Sequence, residues 1–398
     1  MREELLHFIW RYRHFHQQGL VTEDGRPLGI AFPGEPNANQ GPDFRNAKLS
    51  IGGEPLTGAV ELHIRTSDWL RHAHDGDIHY RAVVLHVVWE NDLAAPPAGI
   101  PVLVLQDRVS KPLLSRYEHL MKLQGFVPCE RQLSAVGAGV WQQWMRTLAT
   151  RRLQRRALVI FGWLEHLRQD WEETTWWLMA RSLGQPVNAA VFEAVARSLP
   201  LRLLRRHRLH GPTLEALLLG QAGLLKEAAP EIAHGGAGAY REYIFWQKKY
   251  GLRPVSPPVS FLRMRPGHSP EQRLTQLAAL LADGKGWFSI VRDAATMEEV
   301  LQALGGVKGL GAEMRRGMLI NAFIPVLFAY GQTEKALRWL EELKVERNAT
   351  VRSWQGLGVV AADAAGSQAL LELKNEYCNA RRCLECAIGR AVLFSNAA

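Results

Sequence analysis

The chain has 398 residues, 47% hydrophobic and 22% charged, enough apolar material for two or three separately packed domains. A formal net charge of +9 favours an acidic partner such as nucleic acid or anionic lipid. No apolar run reaches the length of a membrane span, and "MREELLHFIWRYRHF" lacks the apolar core and cleavage site of a signal peptide, so a cytoplasmic protein with no membrane partner is expected.

The spacing of Leu5, Phe8, Ile9, Tyr12 and Phe15 predicts a helix over 3–16. "TEDGRPL" and "PGEPNANQGPD" read as turn-rich loops. The period then changes. "NAKLSI", "TGAVELHI", "AVVLHVVWE" and "PVLVLQ" are short and rich in apolar and β-branched residues, as strands are. Between the second and third, "SDWLRHAHDGDIHY" offers Ser67 as a helix N-cap, with Gly76 and Asp77 limiting the helix to about two turns. Helical text dominates after Lys111: "WQQWMRTLATRRLQRRALVIFGWLEHL", "TTWWLMARSLG", "TLEALLLGQAGLL", "EQRLTQLAALLAD", "MEEVLQAL" and "EKALRWLEELK". The expected fold is an α/β domain over 1–110 followed by a helical domain over 111–398, with a Pro- and Arg-rich connector at "GLRPVSPPVSFLRMRPGHSPEQR".

Glu61 and His63 are two apart in a predicted strand, so both side chains leave the same face. Asp43 follows Pro42 at the start of the preceding strand, and a hairpin would bring Asp43 and Glu61 together. Two carboxylates suit magnesium or manganese, hard ions that take oxygen ligands and keep several waters. Such an ion acidifies a bound water and steadies charge on a phosphoryl oxygen, and His63 could orient or deprotonate that water. The plainer reading has Asp43 ending a turn and Glu61 paired with an arginine. Lys48 lies an odd number of residues from Asp43, so a regular strand would point it to the other face.

The arrangement "PD…ELH" resembles the PD-(D/E)XK nuclease superfamily. That resemblance implies a restriction-endonuclease-like αβββαβ core, magnesium at Asp43 and Glu61, catalysis by Asp43, Glu61 and His63, and a loosely matched helical acid at Glu3 or Glu4. His63 stands where lysine is usual, and a histidine stabilises developing charge only when protonated. Over nearly its whole length the chain also resembles an uncharacterised bacterial family called domain of unknown function 2851, through "ELLHFIW", "GPDF", "VELHIRTSDW", "HYRAVVLHVVWEND", "FLRMRPGHSPEQRL" and "YCNARRCLECAIG". That resemblance implies no activity.

Cys378, Cys383 and Cys386 form C-x4-C-x2-C, and Cys129 is the remaining thiol. Four thiolates can close a structural zinc site or hold an iron–sulfur cluster. The pattern resembles that of nucleases whose four-cysteine cluster clamps the ends of the domain, although there the lone cysteine precedes the nuclease motifs. The plainer reading is a set of thiols that happen to lie close. "RHAHDGDIHY" suggests a third possibility, a zinc or manganese hydrolase using His63, His72 or His74, and Asp77, while His86 reads as a core histidine with a hydrogen-bond partner.

"RRLQRR" and "LRLLRRHRLH" are dense in arginine. Arg151, Arg152, Arg155, Arg205, Arg206, Lys248, Arg263 and Arg265, with Trp141, Trp144, Trp176 and Trp177, are candidates for a DNA or RNA groove, as against solvated helix faces over a tryptophan core. The expected function is a metal-dependent nuclease-like protein. The alternatives are a non-catalytic nucleic-acid-binding or scaffold protein on a decayed nuclease core, and a small-molecule metallohydrolase.

Overall fold

The computed structural model describes the chain apart from residues 38, 73–76, 96, 209, 228–235, 262–268, 283, 285 and 395–398. It forms two compact units, residues 1–141 with 376–398, and residues 142–375. The first carries a mixed sheet and the second is helical. The division therefore falls later than residue 110, and the end of the chain returns to the first unit.

Helix α1 (Glu3–Tyr12) opens the first unit and buries Leu5, Leu6, Phe8, Ile9 and Trp10. It stops at Tyr12, not His16, because Arg13 adopts a left-handed conformation (φ 55°). Phe15 lies past that end but is still buried, its ring stacked beside Trp10.

Among the described residues six strands follow: β1 (Leu28–Phe32), β2 (Glu35–Pro36), β3 (Phe44–Ile51), β4 (Glu54–Arg65), β5 (Val83–Glu90) and β6 (Val102–Val104). Their order is β1-β3-β4-β5-β6, with β2 paired to β3. The β1–β3 and β3–β4 pairs are antiparallel, and β4–β5 and β5–β6 are parallel. β1 falls between the two stretches read as loops, sharing only Leu28 with the first, in residues given no reading. It is an edge strand, and its five residues, Leu-Gly-Ile-Ala-Phe, are apolar or glycine throughout, so they show no apolar–polar alternation.

Gly52 (φ 64°) and Gly53 (φ 90°) turn β3 into β4. Positive φ at two successive residues is what a tight hairpin turn requires, and glycine adopts it without penalty. Nearer the site, Phe44 faces Val60 while Ala47 faces Gly58. Three steps on β3 therefore match two on β4, a bulge in which Asn46 sits at φ 56°. The extra residue shifts the alternation. Lys48 faces Thr57 and so shares the face of Glu61, contrary to the regular-strand expectation.

Beyond β4, helix α2 (Asp68–Arg71) is a single turn that leads to the parallel strand β5. Ser67 makes no side-chain cap, and its N–H and hydroxyl bond Asp92 instead (2.9 and 2.5 Å). Trp69 packs beneath Ala59 and Val83. At Gly58 a Cβ would lie 2.5 Å from Val84 Cγ1 and 2.7 Å from the Ala82 carbonyl oxygen, so glycine sets the approach of β4 to β5.

The returning C-terminal helix, Ala387–Phe394, packs against α3 (Lys111–Lys122) and the turn Glu130–Ala135. Arg381 bonds the carbonyls of Met121 and Leu123, and Phe394 stacks on Phe8 and His14.

The boundary between the units falls inside α4 (Ala138–His166). In the second unit α5 (Trp171–Leu183) is buried along most of its length, Trp176 and Trp177 included. The helices expected from the sequence appear at Gly211–Gln221, Pro270–Ala282, Met297–Gly305 and Thr333–Glu342. None of the described helices is long and apolar enough to cross a membrane.

Candidate active site

Asp43 and Glu61 meet across the β3–β4 hairpin. The Asp43 N–H donates to Glu61 Oε2 (3.0 Å), and the Leu62 N–H donates to Asp43 Oδ2 (3.0 Å). Each carboxylate is thus held by the main chain of the facing strand. Glu61 is 5% exposed, so its face is not the solvated cleft that would have made a charge inexpensive. Burial and the neighbouring Asp43 charge push its carboxyl up to about 8, with a smaller push from Glu3. Asp43 is more open, and among the described residues its Oδ1 has no partner.

Sequence reasoning missed His7. It lies four residues after Glu3, hence on the same helix face, and its Nε2 is 3.2 Å from Asp43 Oδ2. Burial alone would lower its pKa, but Asp43, Glu3 and Glu4 outweigh it and hold His7 above the ordinary value. Tyr80 is pushed up to about 12 by burial and then by Glu61, Asp43 and Asp77. Helix α1, the hairpin and the turn before β5 all bring ionisable groups to one spot.

His63 is 2% exposed and lies between two other histidines. Its Nδ1 is 2.9 Å from His86 Nε2, and its Nε2 is 3.1 Å from His72 Nδ1 and 3.6 Å from Glu61 Oε1. The parallel register sets Glu61 beside His86. His86 is fully buried with a partner, as the sequence suggested, whereas His72 is exposed. Asp77 bonds the His79 N–H (2.9 Å) and caps the turn Ile78–Tyr80; His74 lies outside the described residues.

The donor set suits a hard divalent ion in kind: two carboxylates, one with an open oxygen, in a patch of excess negative charge. Among the described residues, no group of three or more His, Cys, Asp or Glu is gathered to hold a metal. A two-carboxylate site completed by water remains compatible with that observation.

Cys129, Cys383 and Cys386 are buried in the first unit. Burial and the proximity of Cys386 and Cys383 push the Cys129 thiol up to about 12, and burial with Cys386 does the same for Cys383. Cys378 is half-buried. The last helix seats closely here: a Cβ at Gly389 would lie 2.3 Å from the Cys383 carbonyl oxygen.

The basic candidates divide into two groups. Arg152 and Arg155 both bind Glu372 (3.4 and 2.6 Å), and Arg152 also bonds Gln368, so they hold α4 to the helix Ala364–Glu372. Arg151 lies over the ring of buried Trp144 (5.1 Å), and Trp176 and Trp177 are core residues unavailable to stack on bases. Arg205, Arg206 and Lys248 are exposed. Near Lys248, helix Ala237–Tyr250 displays Phe245 (57% exposed), and Lys249 lies 4.8 Å from the Trp246 ring. Arg263 and Arg265 lie outside the described residues.

Fold and site together describe an α/β unit with a carboxylate–histidine centre, joined in one chain to a helical unit. The chain belongs to the family described as protein of unknown function DUF2851, which matches residues 3–349. No curated protein and no solved structure matches it.

Proposed function

We propose that the first unit is a magnesium- or manganese-dependent phosphodiesterase of the nuclease type, acting on DNA or RNA. The observation that carries this reading is the reciprocal main-chain fixation of Asp43 and Glu61 across the hairpin, beside Glu3 and His7. The order of helix, antiparallel strands β1, β3 and β4 (with the two-residue β2 beside β3), short helix and parallel strand supports a PD-(D/E)XK-like core.

Asp43 and Glu61 would hold the ion, which supplies charge for a phosphoryl oxygen and acidifies a water. His63 replaces the usual lysine as a proton carrier. With its Nδ1–H given to His86, His63 would accept the Nδ1–H of exposed His72 at its Nε2, so that a proton gained by His72 at its own Nε2 is shared with His63 across that bond. His7 offsets the negative charge at Asp43 until the ion binds. Nucleic acid would meet Arg205, Arg206 and Lys248, the described candidates that are exposed and not engaged in the contacts of Arg151, Arg152 and Arg155.

A structural zinc or iron–sulfur site at Cys129, Cys378, Cys383 and Cys386 is a separate part of the proposal. The burial of three of these thiols close together supports it, and loading requires them to deprotonate and draw in.

The deciding test is cleavage of plasmid and single-stranded substrates with manganese by wild type, Asp43→Asn and Glu61→Gln. Cleavage that survives either substitution removes the site. Manganese binding at the pair without cleavage under any condition leaves the decayed, non-catalytic form. Metal loss in His72→Ala but not in Asp43→Asn moves the ion to the histidines and favours a small-molecule hydrolase.

A further inference from the structure

The second unit contains a cleft of about 680 Å³, within the range of small-molecule sites. One wall is Glu313, Arg316, Gly317 and Ile320, whose i, i+3, i+4, i+7 spacing sets them on one face of helix Ala312–Met318 and the π turn that follows it, Leu319–Phe323. Such turns are frequent at functional sites. The other wall is segment 344–348, which joins two helices. Asn348 ends it by accepting the Val351 N–H (2.9 Å), so the positive end of helix Ala349–Gly356 opens beside the cleft.

Arg316, Lys344 and Arg347 all line this space. Among the described residues none of their side chains has an ion pair or a hydrogen bond. Two acids also line it. Glu346 is engaged by Gln368 and Ser367, which leaves Glu313, exposed, as the one unengaged acid. Three cations against two carboxylates leave the cleft with a net positive charge, and a multiply charged anion balances it. Val345, half-buried, adds apolar surface of the kind a base or sugar covers.

We propose that this cleft binds the phosphates of a nucleotide, either free or as part of a single strand, through Arg316, Lys344 and Arg347. The site is built from residues of the second unit alone and does not depend on the activity of the carboxylate–histidine centre.

The test uses the full chain in the presence of a chelator, with ATP and a short single-stranded oligothymidylate as probes in calorimetry. Arg316→Gln combined with Arg347→Gln is expected to weaken binding at least about tenfold, the loss of charge-assisted bonds to phosphate. Gly317→Phe provides the control for folding. A Cβ there meets no atom within 4 Å, so the ring fills the cleft without a clash at its base, and binding is lost at an unchanged melting temperature. Asp43→Asn should bind as wild type does, which separates this site from the proposed nuclease centre. Binding of ATP alone identifies a free nucleotide, and oligomer binding that is weakened by the arginine pair identifies a strand. The proposal falls if neither probe binds, or if the binding of every probe that binds is unchanged in both the arginine pair and Gly317→Phe.

Discussion

The Asp43 N–H donates to a carboxylate oxygen of Glu61 at 3.0 Å, while the Asp43 carboxylate accepts from the N–H of Leu62, the residue after Glu61. The hairpin fixes the two acids to each other's main chain, so neither can turn away from the other's charge. Asp43→Asn and Glu61→Gln should each weaken manganese binding at least about tenfold in calorimetry, since each removes one anionic ligand from a two-ligand site. His63→Gln should leave that affinity within about twofold but lower kcat by about 10²-fold, the range of a lost general base. Equal losses of kcat and metal affinity in His63→Gln would show that the ring is a ligand.

Stability should fall as pH rises. Glu61 is raised from 4.5 to about 8, so the folded state binds its proton more tightly than the unfolded chain does. The associated stability is complete below pH 4.5 and is lost as pH rises toward 8, by on the order of 3–5 kcal/mol. His7, also raised, contributes in the same direction. Thermal melts between pH 5 and 9 should show this slope, and Glu61→Gln should flatten most of it. Manganese should restore stability at high pH, because the ion replaces the proton. A slope unchanged in Glu61→Gln would place its origin elsewhere.

Two backbone positions align the hairpin with β5. Asn46 occupies the left-handed region at the bulge, so Asn46→Val should destabilise by about 1–2 kcal/mol and Asn46→Gly by much less. Gly58→Val forces Val84 and the Ala82 carbonyl away from β4, and chemical denaturation should show a loss of about 2–4 kcal/mol. If Gly58→Val proves neutral, β5 does not approach β4 this closely.

The two groups of basic residues should respond in opposite ways. Glu372→Ala leaves Arg152, 15% exposed, without its carboxylate and should cost about 3 kcal/mol in stability, with little effect on nucleic-acid affinity. The triple change of Arg205, Arg206 and Lys248 to alanine should leave the melting temperature nearly unchanged and reduce the salt dependence of single-strand binding. Wild-type affinity with an unaltered salt slope in that variant would rule out this surface.

For the cysteines, elemental analysis of protein purified without oxygen should find zinc or iron at about one site per chain. Cys383→Ser should release it and loosen the returning helix Ala387–Phe394, read as faster amide exchange there. Metal-free protein with a protected final helix would reduce the cluster to buried thiols.

Local pattern was enough for the main elements. Short apolar and β-branched runs drew β3, β4 and β5, three- and four-residue spacing drew α1 and most long helices, and the pair Asp43–Glu61 followed from a hairpin whose two glycines stand in the sequence. The edge strand β1 was not visible, because its five residues are apolar or glycine throughout and show no apolar–polar alternation.

What the chain's order alone determined is which residue types are available and on which face of a local element they stand. Tertiary structure decided the rest, because distance between elements depends on packing. It set His7 of α1 against Asp43, used a one-residue bulge to return Lys48 to the Glu61 face, and aligned His63 between His86 and His72. It also turned Arg152 and Arg155 inward to Glu372, and left Arg316, Lys344 and Arg347 around an open cleft. A run of arginines looks the same in sequence whether it faces solvent or a buried carboxylate, and only the neighbours that folding supplies distinguish the two.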